Sequence, residues 1–392
     1  MARDGAPVSA GLARDLALEA RRILLDPGMS EVLAPSGTPL VEGQDLRQPR
    51  LAETLTAIAD GGRDAFYAGD VAASLVHTLR AHGSSMTTDD LGAHTSTVES
   101  PLVAGFGDED YLSSGANTQG GFFLAALRAV ERLGRPLDPL GPDAGVLYEI
   151  FAALSAARDA RLGDPLTAPP LDGAAIEDLA LKALHGQPRL RVPQGPKPGG
   201  DTVAVVAADG AGTWISLIQS VFHAFGAALL DPATGVLFHN RGAAFDLIPG
   251  SAAELGGGRR PPHSLMPVLV KDGASGRTIG AHGTMGGRAQ FQIHTHLALH
   301  LDLGRSPAEA VSAPRWLQGH MGAGAADQAV VHYERDVAEA ARISLARTGA
   351  AARALPARSD DAGHSHVIRR VGGGLDVATD PRADGSALTD QS

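Results

Sequence analysis

The sequence predicts a layered α+β fold. Apolar residues recur at helical spacing through most of the first half, whereas β-rich apolar runs cluster after residue 201. Helices and strands do not alternate strictly, which argues against a doubly wound parallel sheet. Hydrophobic residues make up 44% of the 392 residues, so the chain can bury a large core, which argues against wholesale disorder.

The first predicted helix covers residues 9–25, where Ser9 is a candidate N-cap and Leu12 and Leu16 follow at helical spacing. Residues 26–50 are rich in proline and glycine and predict an extended loop. The same periodicity predicts further helices near 51–60, 70–82, 120–133, 145–162, 289–303, 306–312 and 335–347. Turn-rich connections are expected at 61–70 and 91–102.

The clearest strand signal is a hairpin over residues 202–222. Two β-rich apolar runs flank an Asp-Gly-Ala-Gly turn at 209–212. The preceding stretch, 185–201, holds four prolines and four glycines, which exclude a helix interior or a central strand. We therefore expect an exposed, mobile loop that ends at Asp201. Other strands are predicted at 235–239, 265–271, 278–283 and 328–333.

Charge and composition exclude several classes of function. A net charge of −11 at pH 7 argues against binding to nucleic acids or to anionic membranes. The absence of cysteine excludes disulfides, thiolate nucleophiles and cysteine zinc sites. No apolar window is long enough for a membrane span, and the first residues lack a signal-peptide pattern. We expect a cytoplasmic protein, with secretion left open if the true N-terminus lies upstream.

Thr202 opens the predicted hairpin directly after the proline- and glycine-rich loop. Position alone favours an ordinary β-branched residue at a strand start. The alternative is self-cleavage, in which the Thr202 hydroxyl attacks the carbonyl of Asp201 and the resulting ester is hydrolysed. The new α-amine, with an ordinary pKa of about 8, can then act as the base for its own hydroxyl.

A series of sequence blocks, in order along the chain, favours the second interpretation. Downstream of Thr202 these are SLIQS (216–220), TGVLFHNR (234–241), RRPPHSLMP (259–267), GTMGG (283–287), DLGRSPAEAVSAPRW (302–316), GHSHVI (363–368) and DPRADGSAL (380–388). Upstream they are AFYAGD (65–70), MTTDDL (86–91), ESPL (99–102) and NTQGG (117–121). In these blocks the chain resembles the γ-glutamyltransferase family, which includes glutathione hydrolases and cephalosporin acylases and belongs to the N-terminal-nucleophile class.

The resemblance implies a four-layer αββα sandwich made from one precursor. Residues 1–201 would form the large-subunit part and residues 202–392 the small subunit. Thr202 would be the nucleophile and Ser220 a hydroxyl that hydrogen-bonds it. The backbone N–H groups of Gly286 and Gly287 would form the oxyanion hole, where a residue without a Cβ lets the backbone approach closely. No cofactor is implied.

Several residues depart from the family pattern in the donor pocket. Ser264 is retained, but His263 replaces the first serine of the pair that holds the donor carboxylate, and Arg241 stands where the family has glutamine. Ala244 replaces the aspartate that binds the donor ammonium, and Phe222 replaces an asparagine. A buried ammonium without a carboxylate partner is strongly disfavoured. We therefore expect a donor with a carboxylate and no ammonium to bind better than a γ-glutamyl group.

Three functions stay open at this point. The first is a γ-glutamyltransferase or glutathione hydrolase that passes the acyl group to water or to an amine or peptide acceptor. The second is an acylase-like amidohydrolase acting on a dicarboxylic acyl amide. The third is an inactive fragment or pseudoenzyme, because we expect the family's N-terminal segment, with the arginine that clamps the donor carboxylate, to be missing before Met1.

Other motifs predict structure rather than chemistry. HTHLALH (294–300) places His296 and His300 on one helical face, but the glutamate of an H-E-x-x-H zinc motif is absent, so we expect helix-surface histidines and no metal. Asp89 and Asp90 are expected to cap a short helix. GGGRR (256–260) lacks the context of a phosphate-binding loop and is expected to be a surface loop.

Overall fold

The computed structural model describes residues 1–115, 117–169, 171–185, 200–319 and 329–389. The chain packs as two units, one made of 1–98 with 221–240 and the other of 99–220 with 241–392. Both helices and strands are abundant, as the sequence predicts for an α+β protein. Most of the predicted mobile loop, residues 186–199, lies outside the described residues.

The first unit is mainly helical. Its elements are β1 (Ala6–Pro7), α1 (Ala10–Leu18), α2 (Ala20–Leu25), α3 (Pro27–Leu33), β2 (Asp45–Leu46), α4 (Pro49–Tyr67), α5 (Asp70–Ala81) and α6 (Thr88–Gly92). Ser9 caps α1, as predicted, by accepting a hydrogen bond from the Leu12 N–H at 3.3 Å. Thr87 and Asp90 form a reciprocal capping box at α6. The acidic pair there therefore starts a helix, as predicted.

Three predictions in this unit are wrong. Part of the loop expected at 26–50 is α3, because Asp26 caps it by accepting from the Met29 N–H at 2.8 Å and Pro27 suits a first helical turn. The connection expected at 61–70 is mostly the end of α4, which bends at Gly62, where φ is 63°. The strand predicted at 235–239 is only a single bridge between Leu230 and Leu237.

The second unit is built on a six-stranded antiparallel sheet in the order β13-β12-β8-β7-β4-β3. These strands are β3 (Leu102–Phe106), β4 (Glu109–Ser113), β7 (Val268–Asp272), β8 (Thr278–Met285), β12 (His364–Val371) and β13 (Gly374–Thr379). A hairpin forms a separate sheet from β5 (Gly200–Ala208) and β6 (Trp214–His223). A third sheet contains β9 (Trp316–Gln318), β10 (Val330–Glu334) and β11 (Ala351–Leu355).

Helices cover the face of the large sheet that lies opposite the hairpin. They are α7 (Gly120–Glu131), α8 (Ala144–Arg161), α9 (Gly173–Leu184), α10 (Gln290–Asp302), α11 (Pro307–Ser312) and α12 (Glu339–Ala346). The main core contains Phe123 of α7, Phe151 of α8 and Phe291 of α10 together with Val268 and Val270 of β7. α7 and α10 are buried along nearly their whole length, so they form the centre of the helical layer.

The histidines of α10 correct a prediction. The sequence places His294, His296 and His300 on a helix surface, but each is at most 1% exposed. α10 lies inside the helical layer, and its rings pack on aromatic neighbours, with His296 4.8 Å from the Trp316 ring centre. Burial lowers the pKa of His294 and of His296 to about 3 and that of His300 to about 2. These residues are therefore neutral core side chains at pH 7.

Two further findings concern the described part of the chain. It contains no group of three or more His, Cys, Asp or Glu side chains placed to hold a metal ion. None of its helices is both long and apolar enough to cross a bilayer.

A buried network of charges joins segments of the second unit that lie up to 67 residues apart in the sequence, from Arg315 to Arg382. Arg315 lies 2.5 Å from Asp380, and Arg382 contacts both Asp380 at 2.9 Å and Glu334 at 2.5 Å. Burial opposes ionisation of Asp380, but the two arginines together lower its pKa. Asp380 also accepts a hydrogen bond from the Ser365 N–H. Removing one partner of such a pair typically costs about 3–5 kcal/mol. Arg315 and Ser365 of β12 thus hold the segment Asp380–Arg382, which follows β13, against the large sheet.

Acidification should destabilise the fold through the buried histidines. Below pH 6.5 these histidines bind protons in the unfolded chain but remain neutral in the folded state. The free energy of unfolding therefore falls as the pH drops from 6.5 toward 3. Each such histidine contributes about 1.4 kcal/mol per pH unit. Denaturant midpoints between pH 4.5 and 6 measure this slope. His300→Asn should reduce the slope by about one proton, and His77→Gln, at an exposed position of α5, serves as control. An unchanged slope in His300→Asn would contradict this account.

Candidate active site

Thr202 lies on the inner face of the hairpin. Along β5 the side chains alternate, so that Thr202, Ala204 and Val206 are at least partly buried while Val203 and Val205 are 54% and 50% exposed. The inner face packs on β8, because a Cβ placed on Gly283 would lie 2.8 Å from the Ala204 Cβ and 3.4 Å from Val206. The side chain of Thr202 therefore lies on the face of the hairpin that packs on the large sheet.

Thr202 and Ser220 meet across the hairpin. The Thr202 hydroxyl donates to Ser220 Oγ at 2.9 Å, although the two residues are 18 positions apart. The turn between the strands holds this pairing, since Asp209 Oδ1 accepts from the Thr213 N–H at 2.7 Å. The predicted scissile bond, Asp201–Thr202, lies within β5. The hydroxyl pair stands at the strand start, and its catalytic role stays a prediction.

β8 runs toward the same end of the hairpin. Ser216, nearer the turn, donates to the carbonyl of His282 at 2.7 Å, whereas Ala204, nearer Thr202, packs on Gly283. Advancing along β8 thus moves away from the turn and toward the hydroxyl pair. β8 ends at Met285, and Gly286 follows directly. The glycine pair and the Thr202 pair are therefore carried to the same end of two packed sheets.

A side chain at Gly286 would crowd α10. A Cβ at this position would lie 2.2 Å from Ile293 Cδ1 of α10. Gly287 adopts a φ of 52°, in the left-handed region that favours glycine. The carbonyl of Gly286 accepts from the Ala289 N–H at 3.0 Å. Because a trans peptide directs its C=O and N–H in opposite directions, the Gly287 N–H points away from this turn.

Arg241 lies beside the hydroxyl pair. Its Nη2 donates to Ser220 Oγ at 3.3 Å from the short 3₁₀ turn Arg241–Ala244. Burial lowers the pKa of Arg241 to about 10, so the guanidinium remains positively charged at neutral pH. Ala244, where the family pattern has an aspartate, closes the same turn without a charge.

His263 and Ser264 lie on a segment held by the NTQGG block. The His263 N–H donates to the Asn117 carbonyl at 2.9 Å, and the Asn117 side chain donates to the Pro261 carbonyl at 2.6 Å. Ser264 is buried and accepts from Gln290 Nε2 at 3.4 Å. Gln290 directly follows the glycine turn, which comprises Gly286–Ala289. Burial, with Arg241 and Arg260 nearby, lowers the pKa of His263 to about 4. His263 is therefore neutral at pH 7.

The structure thus connects some predicted site residues directly and others through neighbours. Hydrogen bonds link Thr202, Ser220 and Arg241, and Ser264 reaches the glycine turn through Gln290. Phe222 has a φ of 83°, unusual for a bulky residue, and its ring stacks on His223. Phe222 belongs to the first unit, whereas the other predicted site residues belong to the second.

Sequence reasoning did not single out the buried polar side chains behind the glycine turn. Gln119 Nε2 donates to the Gly287 carbonyl at 3.0 Å, and Arg158 Nη1 donates to the Arg288 carbonyl at 2.6 Å. Gln119 belongs to NTQGG, which the sequence marks only as a block. Arg158 lies on a helix whose apolar residues recur on most faces, and a lone arginine there carries no signal of its own.

Comparison with known proteins identifies the family. Residues 1–389 match the family model described as gamma-glutamyltranspeptidase, and the chain belongs to this family. It is 33% identical to the oxamate amidohydrolase proenzyme of Klebsiella pneumoniae, over 98% of this chain and 73% of that protein. It is 32% identical to the glutathione hydrolase-like YwrD proenzyme of Bacillus subtilis, over 81% of this chain. The chain spans 61% of that second relative.

A solved structure supports the fold. The crystal structure of cephalosporin acylase from Bacillus halodurans superimposes with a TM-score of 0.82 at 26% identity, covering 98% of this chain and 72% of that one. The fold is therefore the α+β fold of the N-terminal-nucleophile hydrolases, as the sequence predicts. The division into subunits at 201/202 and the roles of the site residues stay predictions.

Gly286→Ala should destabilise the protein by overpacking. The new methyl group would meet Ile293 Cδ1, and such insertions cost about 1–3 kcal/mol. Ile293→Val removes the colliding methyl, so the double variant should recover part of the loss, measured as thermal midpoints. Ile293→Val alone is the control. Removing this buried methyl is itself destabilising, so an Ile293→Val effect of the same size in the wild-type and Gly286→Ala backgrounds would contradict the steric explanation.

Proposed function

We propose that this chain is a self-processing amide hydrolase or acyltransferase whose nucleophile is Thr202. The observation that carries the proposal is the 2.9 Å hydrogen bond between the Thr202 and Ser220 hydroxyls at the start of β5. Membership of a family in which the Klebsiella and Bacillus relatives are named as proenzymes supports self-cleavage.

Maturation would proceed by an N-to-O acyl shift. The Thr202 oxygen attacks the carbonyl carbon of Asp201, the C–N bond breaks, and the nitrogen takes the hydroxyl proton to become an α-amine. Water then hydrolyses the ester, which leaves Asp201 as a C-terminal carboxylate and Thr202 as a new N-terminus. Residues 1–201 and 202–392 would thereby become the large-subunit part and the small subunit.

Turnover would use the same oxygen. The Thr202 amine accepts the hydroxyl proton, the oxygen attacks the donor amide, and the N–H groups of Gly286 and Gly287 stabilise the oxyanion. The leaving amine departs with the proton, and an ester to Thr202 remains. Water, or an amine acceptor, then releases the acyl group. Ser220, which accepts from the Thr202 hydroxyl, would orient it for attack.

Intact mass of the purified chain tests the nucleophile. The wild type should yield two fragments that meet between Asp201 and Thr202, whereas Thr202→Ala should remain a single chain because it lacks the attacking oxygen. Thr202→Ser, which retains a hydroxyl, should still cleave, and Ser220→Ala should cleave more slowly. A single uncut chain for wild type and Thr202→Ser would refute self-processing and favour the inactive fragment or pseudoenzyme.

We propose further that the preferred donor carries a carboxylate but no ammonium. Arg241 supplies a positive charge within hydrogen-bond distance of Ser220, and Ala244 has no carboxylate to receive an ammonium. Ser264 and the neutral His263 would provide uncharged hydrogen-bonding groups for the donor carboxylate. The name of the Klebsiella relative refers to oxamate, an amide with a carboxylate and no ammonium. γ-Glutamyl donors stay the alternative, since other relatives are named glutathione hydrolases.

Matched p-nitroanilides separate the two donor classes. Glutaryl and γ-glutamyl p-nitroanilide differ only by the ammonium, so we expect kcat/KM to favour glutaryl at least about tenfold, the usual size of a charge-assisted contact. Arg241→Gln combined with Ala244→Asp should shift the ratio toward γ-glutamyl. Butyryl p-nitroanilide, which lacks both charges, controls for general loss of activity. A γ-glutamyl preference in the wild type would overturn the donor assignment.

A further inference from the structure

The two peptide bonds that follow Gly287 have their carbonyls fixed by buried side chains. The Gly287 carbonyl accepts from Gln119 Nε2 at 3.0 Å, and the Arg288 carbonyl accepts from Arg158 Nη1 at 2.6 Å. Gln119 lies at the N-terminus of α7 and Arg158 in the last turn of α8. Side chains from two helices of the helical layer, α7 and α8, therefore anchor the same turn.

The two donors are also joined to each other. Arg158 Nη1 donates to Gln119 Oε1 at 3.2 Å, which orients the Gln119 amide so that its NH₂ group faces the Gly287 carbonyl. The Arg158 guanidinium lies 5.7 Å from the centre of the Phe291 ring. Arg158 is 4% exposed and Gln119 is 1% exposed, so water does not readily replace these contacts.

The charged side chains that surround Asp159 next to the glycine turn carry a net positive charge. Asp159 Oδ1 is shared by Arg158, at 2.8 Å, and by Arg288. Two guanidinium groups thus face one carboxylate, whose side chain is 5% exposed. A surplus of one positive charge therefore lies next to the turn that carries the Gly286 and Gly287 N–H groups, and a nearby positive charge favours an oxyanion.

We propose that Arg158, acting through Gln119 and the Gly287–Arg288 peptides, is a positioning residue for the oxyanion site. This inference rests on the proposed function. Gly287 has the conformational freedom of glycine at a φ of 52° and Gly286 also lacks a Cβ, so their amides would not hold one direction unaided. Arg158 fixes the Arg288–Ala289 peptide, and the N–H of that peptide donates to the Gly286 carbonyl at 3.0 Å. The peptide plane of the Gly286 carbonyl carries the Gly287 N–H, so its direction is fixed as well. Gln119 holds the intervening Gly287–Arg288 peptide, which restricts the rotation left to Gly287. Preorganised donors of this kind stabilise a transition state without reorganisation.

Steady-state kinetics of Arg158→Met and Gln119→Met test the role in the full chain. For each we expect kcat per matured site to fall about 10- to 100-fold with KM changed less than about threefold, because the oxyanion forms only in the transition state. The matured sites are counted by intact mass. The double variant should lose less than the product of the two single losses, since both act through one turn.

Two further variants separate positioning from general support of the fold. Arg158→Lys keeps the charge but not the planar fork, and should recover part of the kcat lost in Arg158→Met. Arg128→Met makes the same change at a half-buried ion pair on α7, away from the glycine turn, and should keep the wild-type kcat. A wild-type kcat per matured site in Arg158→Met would overturn the proposal, as would a loss explained entirely by fewer matured sites.

Hydrogen–deuterium exchange tests the positioning role even if the wild type neither matures nor turns over. In Arg158→Met the peptide covering residues 286–290 should exchange at least about tenfold faster, while peptides from β6 keep their wild-type rate. Unchanged exchange at 286–290 would overturn the positioning role. Failure of the proposed function is recognised separately, by an uncut wild-type chain that releases no product from any donor.

Discussion

The close approach of the hairpin to β8 is the constraint on which the rest of the site depends. Gly283 has no side chain, and a Cβ there would collide with Ala204 at 2.8 Å. Together with the Ser216 hydrogen bond to the His282 carbonyl, this contact orients β8 so that the glycine pair after Met285 lies toward the end of the hairpin that carries Thr202. The opposite face of β8 carries His282, whose ring faces Tyr111 of β4 and His294 of α10. β8 thus separates the proposed active site from the hydrophobic core of the helical layer.

Buried charges in the second unit serve mainly to hold backbone. Arg315 donates to the Gly363 carbonyl at 2.6 Å and pairs with Asp380, while Arg158 donates to the Arg288 carbonyl. Each arginine lies behind a glycine-containing turn that no apolar side chain could fix, because a carbonyl needs a donor when it is removed from water. Arg315 and Asp380 belong to family blocks, which therefore contain structural anchors as well as the proposed catalytic groups. Arg241 differs, since it reaches the hydroxyl of Ser220 rather than a carbonyl.

Strong local signals predicted much of the fold. The helices at 70–82, 120–133 and 145–162 and the hairpin after Thr202 are present close to the expected residues, because their periodicity and turn residues act over short distances. The sequence does not predict the strands at 102–113, since a short apolar run does not reveal its sheet partners, and it does not predict the helix Gly173–Leu184. The histidines of α10 were placed on the surface for a related reason. Their spacing is helical, but only the packing of α10 within the layer decides that all sides are buried.

The sequence by itself determined the family, the position of the proposed nucleophile and the residues that depart from the donor pattern. These follow from ordered blocks and from residue types that can be read without coordinates. Only the tertiary structure decided that the Thr202 and Ser220 hydroxyls pair, that Arg241 reaches the same oxygen, and that Gln119 and Arg158 anchor the glycine turn. Those contacts join residues up to 168 positions apart. Such pairs depend on the register and packing of whole elements, which no local pattern encodes.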